Sequence, residues 1–165
     1  MEASMTAIPF ATMPAHARVW IYKSATAFTP EQSAEIRRRG EAFTGSWVSH
    51  GDTVAAAFAL LHDHFLVIAA DLADMVICGG SVDKSVQMIK GLERDLGLNL
   101  TDRMVVLHEA DGGIRACRMN ELEALIKTGV INGDTIVFDD LVATKGDLDT
   151  RFRTALRNTW MSRYL

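Results

Sequence analysis

The sequence predicts an α+β fold around one hydrophobic core, and three observations carry that prediction. Short segments rich in Val, Ile, Phe and Trp alternate with segments of helical periodicity. Of the 165 residues, 48% are hydrophobic and 23% charged, which supplies enough apolar surface to offset the entropy of ordering the chain. The length suits one folding unit, or a small domain with a packed extension, better than two independent domains.

The elements follow in order. Residues 17–23 carry Val19, Trp20, Ile21 and Tyr22 and predict a strand. Thr29-Pro30-Glu31-Gln32 is a helix start: Thr29 and Gln32 can cap each other reciprocally, and Pro30 stands where a missing N–H costs nothing. Ile36, Phe43 and Trp47 then fall near one face. Residues 53–61 and 65–71 predict two antiparallel strands joined at His62-Asp63-His64. Neither strand alternates between apolar and polar, so both faces of this sheet should be covered. Val82, Val86, Ile89 and Leu96 recur at helical spacing, with Ser81 or Asp83 as N-cap and Gly97 as the stop. Residues 104–109 predict the next strand.

This order, β-α-β-β-α-β, is the split βαβ arrangement of a ferredoxin-like sheet. A C-terminal β-α-β-α extension follows. Asp111-Gly112-Gly113 is a hairpin turn, 114–118 a strand, and Asn120 with Glu123 a capping pair for a helix ended by Gly129. Residues 135–138 form a further strand, and a final amphipathic segment from Asp147 carries Leu148, Phe152, Leu156 and Trp160 on one side. The expected organisation is a mobile N-terminal arm over 1–16, a core over 17–110 and the packed extension over 111–165.

Several function classes are disfavoured. The formal charge is −4, with 17 Lys and Arg scattered among 21 acids, so no basic field exists to collect nucleic acid. Arg37, Arg38 and Arg39 read as a solvated helix face. Two cysteines, Cys78 and Cys117, make no disulfide framework and point to a reducing compartment, hence a cytoplasmic protein. Glu2, Pro9 and Pro14 argue against a secretion signal, and no apolar run approaches a membrane span. No cofactor motif is present.

The place to look for chemistry is Cys78-Gly79-Gly80-Ser81-Val82-Asp83-Lys84-Ser85. Glycines before a helix let backbone amides approach a ligand, and a helix N-terminus favours an anion. Gly79, Gly80, Ser81, Lys84 and Ser85 are the candidate contacts and Asp83 a candidate acid or base, although Asp83 stands where a P-loop needs glycine. A plain helix-capping turn is the competing reading. In a split βαβ sheet both helices are expected to start at the same end, so that Lys23, Ser24 and Thr29 would face Ser81 and Lys84 across one crevice. Cys78 has no histidine placed by sequence to activate it, and a half-buried thiol is the simpler reading. His62-Asp63-His64 reads as a turn and not a metal site, and Asp139-Asp140 as a turn or a cation site.

Several stretches carry a resemblance: Val19-Trp20-Ile21-Tyr22-Lys23, Ser81 to Val86, Asn132 to Val142 with Asp134-Thr135-Ile136-Val137-Phe138, and Trp160-Met161-Ser162-Arg163-Tyr164-Leu165. Together they resemble a family of short proteins of the Bacteroidota and their relatives that carries no established activity. Some of its members bear the label "ABC transporter ATPase", which the absence of a Walker A loop and an ABC signature contradicts here. In that family the loop often reads Gly-Cys-Ser-Ile-Asp, so Gly80 stands where a cysteine would be. Locally, Glu121-Leu122, Leu125-Ile126, Gly129, Ile131, Asp134-Thr135 and Val137-Phe138 are similar to the helix and strand of GYF-like modules, which implies peptide contacts.

Three functional expectations result. The first is a non-enzymatic accessory or protein-interaction protein, as a homodimer that buries the two-sided strands. The second is an enzyme or sensor for a small anionic metabolite at Gly79–Ser85. The third is a GYF-like peptide module with an exposed aromatic groove near Phe138 and Trp160.

Overall fold

The computed structural model describes residues 8–72 and 75–165. Strand β1 (Arg18–Lys23) leads to helix α1 (Pro30–Ser46), a small hairpin of β2 (Val48–Ser49) and β3 (Asp52–Thr53), then β4 (Ala55–Leu61) and β5 (Phe65–Asp71). Helix α2 (Gly79–Leu96) follows, then β6 (Val105–Ala110), β7 (Gly113–Arg118), α3 (Leu122–Lys127), β8 (Ile136–Phe138), α4 (Lys145–Arg151) and β9 (Arg153–Ala155). The fold is α+β, and among the described residues no helix is long and apolar enough to cross a membrane.

Local chemistry explains the boundaries. Thr29 Oγ1 accepts from Gln32 N–H at 3.0 Å and Thr29 N–H donates to Gln32 Oε1 at 2.9 Å, the reciprocal cap predicted for α1. Helix α2 ends at Gly97, whose φ of +66° suits glycine. Its start differs from expectation: Cys78, not Ser81 or Asp83, is the N-cap, because the Ser81 hydroxyl donates to Val48 O instead. Helix α3 is prepared by Glu121, which accepts from Arg118 N–H at 2.7 Å, in place of the expected Asn120 and Glu123 pair.

The strands form two larger sheets, β1-β5-β4 and β7-β6-β8-β9, besides the β2-β3 hairpin. The first keeps the strand order of a split βαβ sheet for three strands, all antiparallel. The expected fourth strand, β6, pairs with β7 and β8 in the second sheet instead. The edge of β1 it would have taken is occupied: Val19 N–H donates to Ala143 O at 2.9 Å, Lys145 N–H to Ala17 O at 2.8 Å and Lys23 N–H to Leu100 O at 3.3 Å. Those contacts satisfy the edge at Val19 and Lys23 without β6 and leave Ile21 N–H, between them, without a protein partner among the described residues.

Layers follow from the period-two alternation of the strands. On β5, Leu66, Ile68 and Ala70 face α1 and α2, packing with Ile36, Trp47, Ile89 and Leu92. Phe65, Val67 and Ala69 face the second sheet, packing with Val105, Leu107, Phe138 and Phe152. The outer face of that sheet is closed by Leu122, Ile131, Leu156 and Met161. The order helix, sheet, sheet, helix and turn covers both faces of β4 and β5 within one chain, so the two-sided pattern by itself no longer calls for a second copy.

Two further expectations are corrected. The final segment is not one amphipathic helix: α4 stops, and β9 pairs with β8 through Ile136↔Ala155, Val137↔Thr154 and Phe138↔Arg153. Leu148 and Phe152 therefore enter the inter-sheet core while Leu156 enters the outer one, because pairing an open sheet edge overrides the helical spacing. In the predicted mobile arm, residues 1–7 lie outside the described residues, but Met13 is buried and Gly146 N–H donates to Ala15 O at 2.9 Å, so 8–16 pack as a strap.

Candidate functional site

The Gly79–Ser85 loop was the leading candidate, and the structure spends most of its polar groups internally. Ser81 and Ser85 are buried; their hydroxyls donate to Val48 O and Val82 O, each at 2.6 Å. Ser81 O accepts from Trp47 Nε1 at 2.9 Å, which ties the helix start to α1. Gly79, Gly80, Asp83 and Lys84 are exposed. Cys78 N–H donates to Ser49 Oγ at 3.1 Å, and Cys78 Sγ lies 3.1 Å from Ser81 Oγ. The Ser81 hydroxyl, then the Ser49 hydroxyl, then the Ser81 amide draw the Cys78 thiol down to about 6.

Lys23 is not part of this loop. Register pairs Lys23 with Phe65, where β5 begins, and Arg18 with Ala70, where β5 ends. Antiparallel pairing therefore sends the chain into α1 and towards α2 from opposite ends of the sheet, and the expected shared crevice does not form. Tyr22 touches Ser85 through its hydroxyl, but Lys23 points to the other face, as Val19 and Ile21 do.

There Lys23 lines a different space. A cavity of about 520 Å³ opens where the end of β1, the 100–103 crossover and the start of β6 meet the loop after β8 and the C-terminal turn. Its floor is apolar, from Ile21, Phe65, Leu100, Val105, Leu107 and Phe138, with Trp160 and Met161 at one wall. Lys23 Nζ donates to Asp140 Oδ2 at 2.6 Å, with side-chain exposures of 12% and 28%, so the pair is largely shielded from water. Asp102 accepts from Arg118 Nη1 at 3.0 Å and from Met104 N–H at 2.9 Å. Arg103, exposed at the mouth, has no hydrogen-bond or ion-pair partner among the described residues. A volume within the range of small-molecule sites, an apolar floor and a few convergent polar groups are the usual composition of a ligand pocket.

The remaining candidates have structural tasks. His62 and Asp63 take the positive φ values of a tight hairpin turn, 53° and 57°. The His62 ring lies 5.0 Å from Phe138, whereas His64 Nδ1 meets Ser24 O at 2.9 Å, so the two imidazoles serve different contacts. Asp139 accepts from Leu141 N–H at 3.1 Å and lies 3.5 Å from Arg151, while Asp140 holds Lys23. Of the arginine run, Arg38 and Arg39 pair with Glu35, and Arg39 also reaches Asp95 on α2 at 2.7 Å. Of the two aromatics expected at a GYF-like groove, Phe138 is 5% exposed and packs on Phe65 and Phe152, while Trp160 is half-buried. Sequence reasoning missed Arg103; it read Asp140 as part of a turn or cation site and Trp160 as part of an aromatic groove, and neither reading joined them to Lys23. No family model, curated protein or solved structure matches the chain.

Proposed function

We propose that this protein binds a small molecule in the inter-sheet cleft and acts as a carrier, sensor or accessory protein without catalysis of its own. The observation that carries the reading is the cavity of about 520 Å³ whose apolar floor ends at the shielded Lys23–Asp140 pair. With β6 in the second sheet, the β1 edge is met by Ala143 and Leu100 on either side of Ile21, and Ile21 lines the cavity. The alternative anion site at Gly79–Ser85 is the weaker reading, because the Ser81 and Ser85 hydroxyls are committed to backbone carbonyls.

The test is thermal stabilisation against a panel of apolar acids, amines, alcohols, nucleotides and phosphorylated metabolites. A ligand about 100-fold above its Kd adds ~2.7 kcal/mol, which raises Tm by roughly 5–10 °C for a chain of this size. The expected hit is an apolar compound whose effect persists in Lys84→Ala. A panel without a hit, or a hit abolished by Lys84→Ala, would remove the cleft from consideration.

A further inference from the structure

We infer that the occupant of the cleft is an amphipathic monoanion: an apolar body on the inter-sheet floor and a carboxylate-type head read by Arg103, Lys23 and the backbone N–H of Ile21. This rests on the binding reading above and adds the chemical class of the ligand.

The first support is the balance of charge at the cleft. Both acids that line it already hold a base: Asp140 holds Lys23, and Asp102 holds Arg118. Arg103 lines the same space with no counter-ion among the described residues. The uncompensated charge is therefore positive, and it sits at the mouth, where a ligand head can remain partly hydrated.

The second is the balance of donors. An ammonium has three N–H donors, and Lys23 spends one on Asp140. Val19 N–H and Lys23 N–H point to the edge of β1 away from β5, where they meet Ala143 O and Leu100 O. Alternation puts Ile21 N–H and C=O on that edge too, between the two contacts, and no protein partner meets that N–H among the described residues. Ile21 lines the cleft. A carboxylate accepts through two oxygens, so it can take Ile21 N–H and a spare Lys23 donor or the Arg103 fork. An alkylammonium head could donate to the Ile21 C=O, but it would bring a positive charge beside Lys23 and the unpaired Arg103. An alcohol brings a single oxygen and no charge.

Calorimetric titration with decanoate and decylamine below their micellar concentrations, and with decan-1-ol below its solubility limit, tests this on the full chain. The expected result is saturable one-to-one binding of decanoate, about tenfold or more tighter than the alcohol or the amine. Arg103→Gln, at an exposed position, should weaken decanoate about tenfold and leave decan-1-ol unchanged. Lys23→Gln should do the same wherever the variant folds. Decan-1-ol or decylamine binding as tightly as decanoate would overturn the head-group assignment and leave the cleft reading standing, as would decanoate binding indifferent to Arg103→Gln. Absence of binding by all three would overturn this inference together with the reading it rests on.

Discussion

Gly40 on α1 tests how tightly the helix layer is fitted to the first sheet. A Cβ added there would lie 2.5 Å from Phe58 Cδ2 and Cε2 and 2.7 Å from Cζ. Phe58 is 8% exposed and belongs to the core formed with Ile36, Trp47 and Leu66, so its ring has no free space to retreat into. Two effects oppose each other in Gly40→Ala. Helix propensity favours alanine by about 0.8–1.0 kcal/mol. Overpacking costs about 1–3 kcal/mol, and three ring atoms inside 3 Å put this site in the upper half of that range. The expected net is a loss of about 1–2 kcal/mol, a fall in Tm of roughly 2–8 °C in a calorimetric scan. Adding Phe58→Leu should recover part of it, so that the double variant loses less than the two singles summed. A Gly40→Ala protein as stable as the parent, or more so, would refute the close helix-to-sheet approach.

Two further outcomes concern titratable groups. Iodoacetamide should alkylate Cys78 in the folded protein with a rate that levels off above a midpoint near 6, while the thiol of Cys117, pushed up by burial and by Glu121, reacts only on unfolding. Ser81→Ala should move the Cys78 midpoint towards about 8.5, and a parent rate still climbing at that pH would contradict the hydrogen bonds at the sulfur. Burial pushes the His108 imidazole below the usual histidine range, the Glu109 backbone opposes that shift, Arg115 adds to it, and Nδ1 is buried without a hydrogen-bond partner among the described residues. Below about pH 6.5 the unfolded chain takes up a proton that the folded chain refuses, so this site's contribution is present above that pH and lost as pH falls. His108→Leu should therefore keep stability at neutral pH and flatten the fall in Tm towards about pH 5.5. An unchanged slope in the variant would show that other groups set the acid response.

What could be read from the sequence was local. The cap at Thr29, the stop at Gly97, the hairpin at His62-Asp63 and the Asp111-Gly112 turn each depend on residues within a few positions of one another, and each formed as the chemistry requires. The double coverage of β5 was legible too, because a strand apolar at every position needs two partners. The sheet that receives β6 was not legible. It is decided by whether Ala143, Lys145 and Leu100 reach the β1 edge first, a contact more than 70 residues distant in chain for Leu100 and beyond 100 for the others, as the numbering shows. That choice also decided the site. The expected topology placed Lys23 across a crevice from the glycine loop, but its partner, its face and its neighbours Arg103 and Trp160 follow from long-range pairing that no local pattern encodes.

The central claim is that the cleft, and not the glycine loop, receives the ligand. Methyl-labelled protein titrated with decanoate separates the two directly by NMR. The account predicts saturable shifts for the methyls of Ile21, Leu100, Val105, Leu107 and Met161, with those of Val82 and Val86 on α2 unmoved. Shifts centred on Val82 and Val86, or no saturable shift at any cleft methyl, would contradict it.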